Sequence, residues 1–381
     1  MGLIKDEITT KKQMDTQMIK TLAREAVELL KEMVAIPSPS FEEADVCGHI
    51  SQWMSSKSIE HQRVGNNIIA EYIADPSLPT LMLCAHIDTV SPCEGYSFDP
   101  YRPDYGQAAD AIAQATGTKV SANEIVAGLG SNDDGASVVS MLAAYRHFLG
   151  KSTNLTLVLT CEEERSGKDG MTGLWGKQLN RINYAIVGEP TGMKAATSER
   201  GLLVIDATAH GISGHAARNE GKNALYIALE DIEKLRRHEF RKISPRMGKV
   251  NLNVTQINAG TAHNVIPDTC TFVIDIRPTE QYTNEEILKE LQDICISELK
   301  PRNLSNRSSA TFENSPLYKA AESIGIETFS SPTTSDWMRI SCDAVKMGPG
   351  DSARSHRKDE FVLVSEIEEA INTYIEFINT L

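Results

Sequence analysis

No stretch of this 381-residue chain approaches the ~20 consecutive apolar residues that a membrane-spanning helix needs. Positive charge is also short. With 38 Lys and Arg against 52 Asp and Glu, the net charge of −14 argues against nucleic acid and anionic membrane as partners, since both select basic faces. The seven cysteines form no CxxC pair, and their odd number gives no closed disulfide framework. Cys84, Cys161, Cys270 and Cys295 sit in apolar patterns, as buried free thiols do, which points to a reducing, cytoplasmic setting. The N-terminal MGLIKDEITTKKQMDTQ lacks the apolar core and small-residue cleavage pattern of a secretory signal, and Asp6 stands where a myristoylation signal wants Ser or Thr. Residues 1–15 read as a polar, flexible extension. There is no internal repeat and no low-complexity linker.

What the chain does have is a set of apolar runs that stop at metal-ligand residues. LMLCAH ends at His86, LTLVLTCEEE runs into Glu162, Glu163 and Glu164, and YAIVGEP reaches Glu189. Short apolar runs bounded by polar or turn residues read as buried strands of a parallel sheet. In open α/β sheets the ligand site lies beyond the carboxyl ends of the strands. A histidine and several carboxylates are thus delivered to one sheet edge.

Helical spacing marks 16–34, 42–58, 135–149 and a segment within 166–180, and these alternate with strands at 66–73, 81–86, 155–161 and 184–188. That alternation predicts a doubly wound, mainly parallel α/β domain. Residues 96–123 show no clear period and read as a long loop near the active edge, with room for local structure inside it. Beyond residue 200 the pattern becomes alternating strands with amphipathic helices in the order β-α-β-β-α, which predicts a smaller α+β sheet with helices on one face. The organisation is therefore 1–194 as the first part of a catalytic domain, 195–302 as an insert and 303–381 as the second part.

Taken singly, each polar candidate has an ordinary reading beside the functional one. His86 and Asp88 form HxD, which places both on one side of an extended segment; Asp88 can orient the His86 ring as a carboxylate behind a ligand, or the match is incidental. Asp133 and Asp134 open a helix after a glycine turn, where Asp serves as an N-cap, while a carboxylate there can also bridge two cations. Glu162–Glu164 is either a solvated acidic turn or a division of labour, one carboxylate binding metal and the next taking a proton from water. Cys161, beside it, reads as core by strand alternation rather than as a nucleophile. Glu189 and His356 lie in glycine- and proline-bearing loops and alone are unremarkable. Together, His86, Asp133, Glu164, Glu189 and His356 make a mixed imidazole–carboxylate set suited to Zn²⁺ or Co²⁺ rather than Mg²⁺, and five ligands with a shared Asp suit two metals ~3.5–4 Å apart.

The segments AHIDTV, GLGSNDDGAS, TCEEERSG, VGEPTG, GISGHAA, HNVIPD, DIRPTE and GPGDSARSH, in this order, resemble the M20 metallohydrolases, with acetylornithine deacetylase and succinyl-diaminopimelate desuccinylase nearest. The match runs from about residue 20 to the end. The resemblance implies a zinc-hydrolase α/β catalytic domain with an inserted lid and dimerisation domain. It implies one metal on His86 and Glu189, the other on Glu164 and His356, with Asp133 bridging, Glu163 as general base and Asp88 as the orienting acid. It also assigns His215 to oxyanion stabilisation across a homodimer interface, and Asn264 and Arg277 to substrate binding. On the residues alone, His215 is equally a loop histidine and Arg277 a sheet-edge charge.

The implied activity is metal-dependent hydrolysis of a small N-acyl amino acid, acetyl or succinyl, of the kind arginine biosynthesis uses; desuccinylation of diaminopimelate and di- or tripeptide cleavage are the alternatives. A non-catalytic metal-binding scaffold is the reading from another class, and retention of Glu163 with every matched ligand argues against it. The chain departs from the family pattern in three places. A shortened Asp133-Asp134-Gly135 makes Asp134 a rival bridge, Glu162 replaces an Asp, and 99–123 is longer, so that it can reshape the substrate entrance.

Overall fold

The computed structural model describes residues 2–381 except residue 219, with side chains from residue 17 onward. The chain divides into two compact units, residues 1–197, 311–329 and 335–381 forming one, and residues 198–310 and 330–334 the other.

The first unit begins with α1 (Gly2–Val34), which takes in the polar segment that the sequence alone marks as an extension. There follow α2 (Ala44–Ser56), β1 (Gln62–Val64), β2 (Asn67–Tyr72), β3 (Thr80–His86), α3 (Tyr105–Thr116), β4 (Ile125–Ala127), α4 (Ala136–Phe148), β5 (Asn154–Thr160), the short α5 (Met171–Leu174), β6 (Tyr184–Val187) and β7 (Ala195–Glu199). In the second unit come β8 (Leu203–His210), β9 (Gly214–His215), α6 (Ala224–Arg237), β10 (Asn251–Ala259), β11 (Val265–Ile266), β12 (Thr269–Arg277), α7 (Asn284–Gln292), β13 (Glu298–Pro301) and β14 (Ser309–Ala310). The chain closes with α8 (Pro316–Ser323), β15 (Thr328–Ser331), β16 (Asp343–Lys346), β17 (Phe361–Leu363) and α9 (Val364–Asn379).

The first unit is built on a mixed sheet whose order includes β1-β2-β5-β3-β6-β16-β7. Its middle strands β5, β3, β6 and β16 pair in parallel, and β2 on β5 and β7 on β16 are antiparallel. Every residue of β3 and β5 is buried, as strands covered on both faces require. One face packs against α1, α4 and α9 around Leu30, Ile50, Leu142, Tyr145 and Tyr374. Helix α4 is buried almost all round, which is why its apolar residues follow no single stripe. The other face buries Met82, Val158, Met171 and Trp337.

Where the sequence suggested a loop, 105–116 is a helix. Asp104 caps α3 by accepting from the backbone N–H groups of Gly106 and Gln107, Gly117 ends it in the left-handed conformation, and Ala108, Ala109 and Ile112 face inward. They join Phe98, Ile125, Ala127 and Phe361 in a small separate core. An alanine-rich inner face has too little apolar contrast for its period to show in the sequence. Conversely, helix within 166–180 shrinks to Met171–Leu174, with glycines around it.

In the second unit an antiparallel sheet runs β10-β12-β8-β13. Burial alternates along β8 and β12, and the buried residues pack with Ala228, Leu235, Ile287 and Leu291 of α6 and α7. Helix α7 starts with a capping box, Thr283 and Glu286 each accepting the other's backbone N–H. A separate ribbon pairs β9 with β11.

Candidate metal centre

The carboxyl ends of β3, β5 and β6 bring His86, the Glu162–Glu164 turn and Glu189 together, as the strand pattern predicts. Ligand atoms of His86, Glu163 and Glu189 lie within 4.8 Å of one another, and so do those of His86, Asp133 and Glu164. His86 Nε2 is 3.3 Å from Asp133 Oδ1. His356 Nε2 is 2.8 Å from Glu164 Oε1 and 3.7 Å from Asp133 Oδ2. Asp133 thus stands between the two imidazoles. Its rival Asp134, joined to it by a cis peptide bond, turns away, with Oδ2 3.4 Å from the backbone N–H of His86.

Asp88 orients this assembly. The His86 Nδ1–H donates to the Asp88 carbonyl at 2.9 Å, which leaves Nε2 facing Asp133. The Asp88 carboxylate accepts from the backbone N–H groups of Glu163 and Glu164 at 3.0 and 3.1 Å and from the Ser40 hydroxyl at 2.7 Å. Asp88 therefore holds the ring through its backbone carbonyl, where the sequence reading gave that task to its carboxylate, and holds the turn that carries two carboxylates through its side chain. Burial alone would raise the Asp88 pKa, but hydrogen bonding and charge from His86 hold it below the usual carboxylate range.

Two further buried carboxylates do the same for neighbouring loops, and sequence reasoning missed both. Glu43 accepts from the N–H groups of Phe41 and Glu162. Glu360 Oε1 accepts from those of Asn132 and Asp133 at 2.9 and 3.0 Å. The only signals were position: Glu43 directly precedes a helix and Glu360 a short strand. Ser40, Asp336 and Lys346 also escaped notice. Asp336 accepts from the Thr160 hydroxyl at 2.6 Å. Lys346 is buried in β16, and its ammonium acts to lower the pKa of Glu189.

The electrostatics are those of a self-repelling anionic cluster. Burial raises the Glu163 and Glu189 carboxyls well above the usual range, and neighbouring carboxylates add to this. Burial also pushes Asp134 up to about 8 and Asp336 up to about 6. Burial works against a charge on His86, but Asp133 and Asp88 outweigh it and raise its pKa well above the ordinary value. Glu164 raises His356 to about 9. Convergent imidazoles and carboxylates with these opposing shifts fit a pair of divalent cations, whose charge relieves the repulsion.

The remaining sequence candidates lie in the second unit. His215 and Asn264 sit beside one another, the Ala216 N–H donating to the Asn264 carbonyl at 3.0 Å, and both side chains are on exposed residues. Arg277 is engaged within its own strand, with Nε and Nη2 donating to both Asp275 oxygens at 2.8 and 3.0 Å. Two other arginines are likewise engaged: Arg200 donates to the carbonyls of Lys249 and Arg277, and Arg354 is paired with Glu366.

Residues 197–303 match the peptidase dimerisation domain of the M20 family. A peptidase M20 domain-containing protein of Schizosaccharomyces pombe is 27% identical, covering 91% of this chain and 82% of its own. The succinyl-diaminopimelate desuccinylase of Wolbachia pipientis wMel is 23% identical over 92% of both chains. A dinuclear metal-binding M20 peptidase of Bacillus subtilis superposes with a TM-score of 0.69 at 16% identity, covering 94% of this chain and 98% of that one. Among the described residues, no helix is long and apolar enough to cross a membrane.

Proposed function

From a chain that is M20 in fold and carries an M20 dimerisation domain, we propose a metal-dependent hydrolase that cleaves the linear amide of a small N-acyl L-amino acid. The observation that carries this reading is Glu163: a carboxylate beside the His86–Glu189 cluster, its backbone held by Asp88, its pKa raised by burial. Zinc is the cation proposed, with cobalt able to substitute, because mixed imidazole and carboxylate donors suit both. His86, Glu189, Asp133, Glu164 and His356 would hold the pair. When bound there, such cations polarise the acyl carbonyl and lower the pKa of water towards ~7.

The chain's own residues supply the rest. Glu163 takes the proton of the attacking water and passes it to the leaving amine, and its raised pKa suits it to both transfers. Asp88 keeps His86 in one tautomer and fixes the Glu163 backbone, so the base does not drift as it changes charge. On the family resemblance, the protein is a homodimer through the 197–303 domain, His215 meets the oxyanion from across the interface, and Asn264 and Arg277 hold the substrate. For Arg277 to take a substrate carboxylate, that group must share or displace Asp275.

The finer reading is an acetylornithine-deacetylase-like activity in the cytoplasm. The name of the Wolbachia relative favours a second one, desuccinylation of a diamino acid, and that of the Bacillus subtilis structure favours peptide cleavage. A panel of N-acetyl and N-succinyl ornithine, citrulline and diaminopimelate with short peptides, ranked by kcat/KM on zinc-loaded protein, separates them. N-acetylornithine is expected to rank first, and no turnover of any member would defeat the hydrolase reading.

A further inference from the structure

His356 is the most exposed of the metal-site residues, with its side chain 54% accessible, and it lies on a loop rather than at a strand end. That loop is conformationally costly. His356 and Asp359 both adopt left-handed backbone angles, φ +57° and +59°, without being glycine. Such residues persist only where surrounding contacts over-determine them.

Those contacts are present on two sides. On the inner side, Glu360 accepts from the N–H groups of Asn132 and Asp133, its own carbonyl accepts from Gly128, and the Asn132 amide exchanges hydrogen bonds with the backbone of Asp351 at 2.9 and 3.1 Å. On the outer side, Asp359 accepts from the Ser97 N–H at 2.6 Å and from its hydroxyl at 2.8 Å, while the Tyr96 hydroxyl donates to the Arg357 carbonyl at 3.1 Å. Ser97 is itself gripped by Gln107 of α3, and Phe98 is buried in the small core that α3 builds. The family resemblance assigns no role to Asp359, Glu360, Asn132, Asp351, Tyr96 or Ser97.

We propose that Asp359 and Glu360 are positioning residues that fix His356 relative to Asp133 and Glu164, so that the α3 segment governs filling of one of the two metal positions. The inference rests on the two-metal reading above. The His86–Glu189 position hangs on strand ends and shares with this tether only Asp133, whose backbone Glu360 holds; it does not depend on Asp359. The Glu164–His356 position does, because without the tether the left-handed loop relaxes and the imidazole leaves Asp133.

The test is zinc titration of the full-length protein against a chelating indicator, which reads two affinities separately. Asp359→Ala is expected to weaken one zinc by roughly 10–100-fold, the usual effect of removing support behind a ligand, and to leave the other unchanged. Asp359→Asn keeps an acceptor for the Ser97 N–H and should restore wild-type binding. Glu360→Gln keeps the oxygen that receives both N–H groups and should do the same, whereas Glu360→Ala should not. Unchanged affinities in Asp359→Ala, or an equal loss at both positions, would overturn the inference and leave the two-metal reading intact. A wild-type protein that binds a single zinc would overturn both.

Discussion

At the scale of single residues, division of labour between adjacent carboxylates is the central point. Glu163 and Glu164 share a turn, yet Glu164 faces His356 while Glu163 faces His86 and Glu189. Glu163→Gln should keep both metals and lose about 10²–10⁴-fold in kcat, since only proton transfer is removed. His86→Ala should lower metal occupancy as well as rate. Elemental analysis beside steady-state kinetics checks the pair, and near-normal turnover in Glu163→Gln would remove it as the base. The side chains that meet here were legible in the sequence because each ends an apolar run or sits in a glycine turn. Glu43 and Glu360 were not, because nothing local distinguishes a carboxylate that receives backbone N–H groups from one that faces water, nor was Asp336, whose partner is the distant Thr160 hydroxyl.

At the scale of elements, the strands were legible where burial on both faces made them continuous apolar runs, as in β3 and β5. Helix α3 was not, because its inner face is mostly alanine and its polar face carries little charge. Its existence depends on capping and on contact with Phe98 and Phe361. Asp104→Ala removes the acceptor of two helix-end N–H groups and should destabilise the protein by about 1 kcal/mol in urea denaturation. An unchanged midpoint would mean that packing alone holds the helix.

At the scale of the whole molecule, the site stores unfavourable charge, and this makes stability depend on pH. Burial pushes Asp134 and Glu360 up to about 8 and Asp336 up to about 6, while Glu164 brings His356 to about 9. In an unfolded chain carboxyls titrate near ~4 and imidazoles near ~6.5. A folded pKa raised above its unfolded value gives stability that is complete below the unfolded pKa and lost as pH climbs through the folded one. The metal-free protein should therefore lose stability steadily from about pH 4 to 8 through the carboxyls, by about 1.4 kcal/mol per pH unit for each proton retained. Half-exposed His356 adds a smaller loss up to about pH 9. Asp88 and Asp133, held low, act in the opposite sense but only below the ordinary carboxylate range. Calorimetry of chelator-treated protein should show Tm falling from pH 5 to 9, with added zinc raising it most at the alkaline end. A flat or rising Tm would contradict the buried, self-repelling cluster.

By itself, the sequence determined most element types, the insert and which imidazoles and carboxylates meet at the sheet edge, because apolar periodicity and strand-end position are local properties that a linear reading captures. Only the tertiary structure decided that Asp133 rather than Asp134 faces the imidazoles, and that three buried carboxylates hold the ligand loops. Those outcomes depend on which backbone N–H groups and charges meet across tens to hundreds of residues of chain, and no local pattern encodes such meetings.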